Sequence, residues 1–464
     1  MVATGAKPWT LPEYAGPHKV GTRLLEVPVD ERHRITLPFC PQLRTLKLRI
    51  FYPTADTAAC ETSDSSRPLW ATKEQIAGFA TFAGLPGGAT FLHAPLSYLL
   101  SDIKTPAYTD APLLSSEHKR PFIVFSPGLG GTDQLYSAMC GNLASFGLIV
   151  FAMEHRDHSA SSTIIREVGR PDEHVSYYSP VKQELLENRQ RSTYMLAHRC
   201  FELRLLVDLL RRGAIMEQDS LDWDKFTLMG HSFGGATLIQ ALDISSQPLL
   251  DLQGNEIHLP SNDLDLQALP KVAIALDLWT QPLPSHVDVR VPLLHLVSEE
   301  FAAWPSNHDR LLDYCTVFEA ARKVCDSSLD DIEETVSEGV NAEMEYIVIK
   351  DSLHLSQSDA GLLFPRLVTL LARKGRSPRR VLLDNVHQAL IFLDRYGVLV
   401  YDDALAQYSS SQPVTPSGSP RTSLEQAKDV AGLKQDTMEA SNSWWNWLAS
   451  APTQSIKTRL SVSA

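Results

Sequence analysis

Lys225–Leu242, KFTLMGHSFGGATLIQAL, reads as a short apolar strand, a serine between glycines, and a helix that starts at once. The apolar run Phe226 to Met229 ends at Gly230-His231-Ser232-Phe233-Gly234, and the periodic ATLIQAL follows. A bare G-x-S-x-G string is weak evidence. Between a strand and a helix it predicts a tight turn that presents the serine hydroxyl, with glycines admitting the strained backbone and its close neighbours. The competing reading is a glycine-rich turn capped by a serine.

Outward from that turn, compact apolar runs alternate with helical patterns. Pro121 to Phe125 ends at SPGLGG, and Leu148 to Met153 ends at EHRDHSAS. VAIAL, PLLHLVS and EYIVIK follow the serine. Runs of this length and apolarity predict buried parallel strands. Leu185, Met195, Leu196, Leu203, Leu206 and Leu210 recur at helical spacing between Pro180 and Gly213, and Gly213 is a natural helix stop. The alternation predicts an α/β class fold with a mostly parallel central sheet and helices on both faces, and the serine turn within it makes the α/β-hydrolase type the expected one. Leu46, Leu48 and Ile50 alternate ahead of Pro53, predicting an early strand near the sheet edge. One catalytic domain is expected over residues 1–400, with an N-terminal extension and a helical insertion near 305–340. Ser, Pro, Thr and Gln dominate from about Tyr408, so 408–464 is expected to be a disordered tail.

A serine hydroxyl is a poor nucleophile at neutral pH, so acyl transfer needs a histidine base and a carboxylate to hold it. In this fold the chain order is serine, acid, histidine. Asp277 directly follows VAIAL, and His354 lies in KDSLHLSQSD beyond EYIVIK, so Ser232, Asp277 and His354 are the expected triad. Asp277 could also be an ordinary strand-end turn residue. The developing oxyanion needs backbone donors. Phe233 is expected to offer one amide and SPGLGG the second, from Leu129; the competing reading of SPGLGG is an ordinary flexible turn or a phosphate loop, for which it lacks the G-K-[ST] ending. Asp309 and Asp351 are competing acids; Asp309 falls in a predicted helix and Asp351 is too near His354 in sequence. His295, inside PLLHLVS, reads as a core histidine. His155 and His158 in EHRDHS are spaced like metal ligands, but nothing completes a site, so a loop hydrogen-bond network is expected. No metal and no cofactor are called for.

FSPGLGGTDQLYSAMCGNLASFGLIVFAMEHRDHSAS, GHSFGGAT, ALDLWTQPL and the SLH loop together resemble the platelet-activating factor acetylhydrolase family. The resemblance runs from about Gly16 through IFYP and KTPAYTDAPL to about residue 370. It implies Ser232 as nucleophile, Asp277 and His354 as its partners, Leu129 and Phe233 as oxyanion amides, and no metal. The implied substrate is a phospholipid carrying an acetyl or short oxidised sn-2 acyl group. Pro127 stands where better-known members carry histidine, and an acidic insertion, RKVCDSSLDDIEETVSEG, separates Asp277 from His354. The active-site rim is therefore expected to differ.

Composition narrows the partners. The 464 residues carry 44% hydrophobic and 21% charged side chains, ordinary for a chain that buries a large core. A formal charge of −13 without a basic stripe disfavours nucleic acid. No apolar run reaches membrane-spanning length, so lipid contact is expected to be peripheral. FLHAPLSYLL and the Trp444, Trp445 and Trp447 cluster are candidate contact segments. MVATGAKPWTLPEYAG does not read as a secretory signal, which gives an intracellular, cytoplasmic expectation. The six cysteines lack C-x-x-C spacing and read as reduced, buried thiols. Oligomeric state is not legible. A general carboxylesterase, an acyltransferase or a non-catalytic binding protein would share the fold.

Overall fold

The computed structural model describes residues 10–55, 67–82, 98, 100–178, 185–243, 249, 251, 254–257, 270–311, 344–364 and 377–401. The strands are β1 (Lys19–Pro28), β2 (Thr45–Thr54), β3 (Tyr108–Thr109), β4 (Arg120–Ser126), β5 (Ile149–Glu154), β6 (Ser162–Ile165), β7 (Glu173–Ser176), β8 (Leu221–His231), β9 (Val272–Leu276), β10 (Leu293–Ser298) and β11 (Met344–Ile349). Among the described residues the helices include α1 (Lys73–Phe82), α2 (Ser137–Ser145), α3 (Leu185–Arg211), α4 (Phe233–Leu242), α5 (Glu299–Ala302), α6 (Asp359–Leu363) and α7 (Pro378–Arg395).

Among the described residues, nine strands form one sheet in the order β11-β10-β9-β8-β4-β5-β2-β1-β3. The six from β11 to β5 pair in parallel, while β2 runs antiparallel to both β5 and β1. A small hairpin, β6 with β7, stands apart. Side chains alternate across the sheet. Phe122, Val124, Phe151 and Leu228 pack with α3 and α4 residues such as Leu196, Phe201, Leu238 and Leu242. Ile123, Phe125, Val150 and Met229 face Met139 and Leu143 of α2 and Val386, Leu390 and Phe392 of α7. Both faces of the strands are therefore buried, which explains runs that read as continuously apolar. Each fully buried Phe contributes about 1.5–3 kcal/mol by transfer from water.

The predicted α/β-hydrolase architecture is present, and the strands around the serine fall where the apolar runs placed them. The early strand needs correction. It continues through Pro53 to Thr54 and lies inside the sheet, because β1, with its mixed pattern KVGTRLLEVP, pairs along its outer side from Lys19↔Thr54 to Pro28↔Thr45. Pro53 is tolerated because the ladder with β5 ends at Phe51↔Val150. The described cysteines, Cys40, Cys140 and Cys200, are free thiols, and Cys40 is half-buried. The acidic insertion, the tail with its tryptophans, and most of FLHAPLSYLL lie outside the described residues. Within that last segment Tyr98 is exposed and Leu100 is buried.

Candidate active site

Each expected site residue sits at or just beyond the carboxyl end of a parallel strand, where loops of such sheets converge. Ser232 follows β8 with φ 55° and ψ −114°, a strained backbone for a side-chain-bearing residue. Two glycines make that turn possible. A Cβ on Gly230 would lie 2.4 Å from the Gly234 carbonyl oxygen, and one on Gly234 would lie 1.9 Å from that of Ser126. The Ser232 amide donates to the Leu276 carbonyl at 2.8 Å, and the Ser232 carbonyl accepts from the Trp279 amide at 3.2 Å. The turn is thereby tied to the strand end bearing Asp277. The Ser232 side chain makes no hydrogen bond among the described residues; serine–histidine bonds often tighten only with substrate.

Asp277, fully buried with φ 42°, meets His354 through Oδ2 and Nδ1 at 2.8 Å. Its Oδ1 accepts from the Ser298 amide at 2.6 Å and its Oδ2 from the Ser298 hydroxyl at 2.7 Å. Ser298 also caps α5 by accepting from the Phe301 amide. The His354 loop is held from the same helix: its amide donates to Glu300 Oε2 at 2.8 Å, and the Asp351 amide donates to Glu299 Oε2 at 2.6 Å. The His354 ring lies between two others, stacked on Phe301 at 4.5 Å and 11° and facing His231 at 4.4 Å. Burial, then the nearby His354, push the His231 ring well below its ordinary pKa, so it is neutral. Its Nδ1 meets the Tyr136 hydroxyl at 2.8 Å, which accepts from the Gly128 amide at 3.1 Å.

The loop after β4 passes directly over the serine: a Cβ on Gly128 would lie 3.0 Å from Ser232 Cβ. The Leu129 and Phe233 amides meet no acceptor among the described residues. Phe233 opens α4, whose first-turn N–H groups lack intrahelical partners and carry the positive end of the helix dipole.

The competing candidates lie elsewhere. His295 is buried in β10, where desolvation pushes its pKa down to about 4. Asp351 is exposed at a turn with φ 54°, and Asp309 lies in a helical stretch over 305–311. The EHRDHS segment forms the expected network: His155 bonds Ser126 and Glu202, Asp157 pairs with Arg199, and His158 Nδ1 meets the Ser176 carbonyl. Ligand-type atoms of His231, Asp277 and His354 lie within 4.8 Å of one another, drawn together by the His354–Asp277 hydrogen bond and the His231–His354 ring contact. Sequence reasoning missed Ser298, Glu300 and Tyr136. A signal existed for Ser298 only, since a serine before Glu299-Glu300 after an apolar run marks a helix start.

Fold and family, the latter matched over residues 3–406, make this a serine hydrolase of the α/β-hydrolase fold acting on carboxylic esters. A ferulic acid esterase from Streptomyces cinnamoneus superimposes with a TM-score of 0.54 at 18% identity, covering 84% of this chain and 93% of that one, which speaks to the fold alone. The family model for platelet-activating factor acetylhydrolase, isoform II, matches residues 3–406, and the chain belongs to that family. A platelet-activating factor acetylhydrolase of Canis lupus familiaris is 30% identical over 373 residues, 75% of this chain and 71% of the relative. A putative phospholipase A2 of Schizosaccharomyces pombe is 27% identical over 429 residues, 82% and 91% respectively.

Proposed function

We propose that Ser232, His354 and Asp277 form a catalytic triad that removes a short sn-2 acyl group from phospholipids resembling platelet-activating factor. The observation that carries the reading is the 2.8 Å contact of His354 Nδ1 with a fully buried Asp277, beside a serine held at positive φ. Asp277 accepts a hydrogen bond from the Nδ1–H, which fixes the tautomer and leaves the Nε2 lone pair free to take the Ser232 proton as Oγ attacks the ester carbonyl. The Leu129 and Phe233 amides receive the resulting oxyanion. His354 then returns the proton to the departing lysophospholipid oxygen, and water, deprotonated by the same ring, releases the acyl group from Ser232.

The family relatives support a phospholipid substrate, which this chain meets by peripheral contact. No described helix is long and apolar enough to cross a membrane. Residues 1–400 act as the catalytic unit, and the 408–464 tail is dispensable for turnover of a soluble ester. Hydrolysis of phosphatidylcholines with graded sn-2 chains, beside a soluble ester control, tests the assignment. Preference for acetyl and short oxidised chains is expected, together with loss of turnover in Ser232→Ala. Equal activity on long chains, or on the soluble ester alone, would move the enzyme to the general carboxylesterases.

A further inference from the structure

Arg199 is fully buried in the middle of α3, far from solvent and aimed at the loop above the serine. Its Nη1 donates to the Pro127 carbonyl at 2.7 Å and its Nη2 to the Gly128 carbonyl at 3.5 Å. The same guanidinium lies 4.4 Å from the centre of the Phe233 ring. Nε pairs with Asp157 at 2.8 Å and Nη2 also donates to Ser159 Oγ at 2.5 Å. One cation therefore touches both residues flanking the expected oxyanion position: the peptide that carries the Leu129 N–H, and the side chain of Phe233.

In a trans peptide the C=O and the following N–H point in opposite directions. Fixing the Gly128 oxygen toward Arg199 thus fixes the Leu129 N–H on the opposite side. The Gly131 amide reinforces that orientation by donating to the same oxygen at 3.1 Å. The stronger bond, at 2.7 Å, holds the Pro127 carbonyl of the preceding peptide, and the cation 3.5 Å from the Gly128 oxygen polarises through its charge the peptide that carries the Leu129 N–H. The strand end beneath the loop is pinned separately. Ser126 Oγ meets His155 Nε2 at 2.8 Å, and His155 Nδ1 meets Glu202 at 2.5 Å. This second serine–histidine–carboxylate row is wholly buried, so no substrate reaches it, and Glu202 stands one helical turn from Arg199.

We propose that Arg199 is the positioning residue of the oxyanion hole, orienting and polarising the Gly128–Leu129 peptide while bracing Phe233. This rests on the triad reading above. The test compares wild type, Arg199→Lys, and the double variant Arg199→Met with Asp157→Asn, which avoids leaving a buried carboxylate unpaired. Each is checked for folding, then assayed on p-nitrophenyl acetate for kcat and KM. Binding is measured for a short-chain trifluoromethyl ketone, whose serine adduct carries the oxyanion. Folded variants are expected to lose about 10- to 100-fold in kcat with KM changed less than about threefold, and to bind the ketone weaker by a similar factor, with Lys the milder change. Arg199 variants that fold and keep kcat within about threefold would overturn the proposal, as would failure of both to fold, which would make Arg199 a purely structural ion-pair residue. Ser232→Ala, run alongside, separates the outcomes: if it is inactive while the Arg199 variants remain active, only this inference fails.

Discussion

Replacing Asp277 by Asn changes one atom type and leaves the shape of the site intact, so its effect can be worked from the hydrogen bonds. The Ser298 amide can only donate, and it points at Oδ1. The new amide oxygen must therefore occupy that position, which sends the NH2 group to the place where Oδ2 faced His354 Nδ1 at 2.8 Å. Two N–H groups cannot face each other, so the imidazole shifts its proton to Nε2, the nitrogen that should be unprotonated for Ser232. Inverting the tautomer in this way costs serine hydrolases about 10⁴-fold in kcat, which corresponds to about 5.4 kcal/mol. Ser298→Ala keeps the carboxylate and removes one neutral donor, for a loss of about tenfold. The assay is kcat on a short-chain ester at neutral pH, with thermal unfolding to confirm an intact fold. An Asn variant within about tenfold of wild type would refute the tautomer argument.

The elbow and the buried network give two further tests. Gly234→Ala drives a methyl group into the Ser126 and Pro127 carbonyls, so a destabilisation of about 1–3 kcal/mol with a fall in kcat is expected; denaturant unfolding that matches wild type would contradict this close packing. Burial alone would raise the Glu202 carboxyl, yet His198 and His155 hold it well below the ordinary carboxylate range. A depressed carboxylate stabilises the fold above its unfolded pKa of about 4.3 and loses that contribution as pH falls below it. Unfolding free energy should therefore drop on acidification below about pH 4, and Glu202→Gln should flatten that slope in a denaturation series across pH; equal slopes would argue against it.

The parts of this molecule that sequence made readable are those in which one local pattern does one job. KFTLMGHSFGGAT announces strand, elbow and helix because each glycine and each apolar residue acts within a few positions of itself. The placement of Asp277 and His354 at strand ends, where they meet, followed from chain order. The strand β1 escaped because KVGTRLLEVP mixes charged and apolar residues along a strand only partly covered by the rest of the protein. The supports of the site escaped for another reason. His198, Arg199 and Glu202 interrupt an apolar run of α3, where charged residues ordinarily mark a solvated face, yet all three are buried: the partners of Arg199 and Glu202 come from the loops after β4 and β5, and His198 lies beside Glu202 one turn along the same helix. Ser298 and Glu300 likewise act on Asp277 and His354 from a different strand end, a juxtaposition that only the folded sheet creates.

The proposed nucleophile is Ser232, activated by His354. Incubating the full-length protein with a fluorophosphonate and mapping the adduct by peptide mass spectrometry tests it most directly. A single stoichiometric adduct on the peptide containing Ser232 is predicted, abolished in Ser232→Ala and slowed by orders of magnitude in His354→Ala. Ester hydrolysis that persists in Ser232→Ala, or a labelling rate indifferent to the loss of His354, would contradict it.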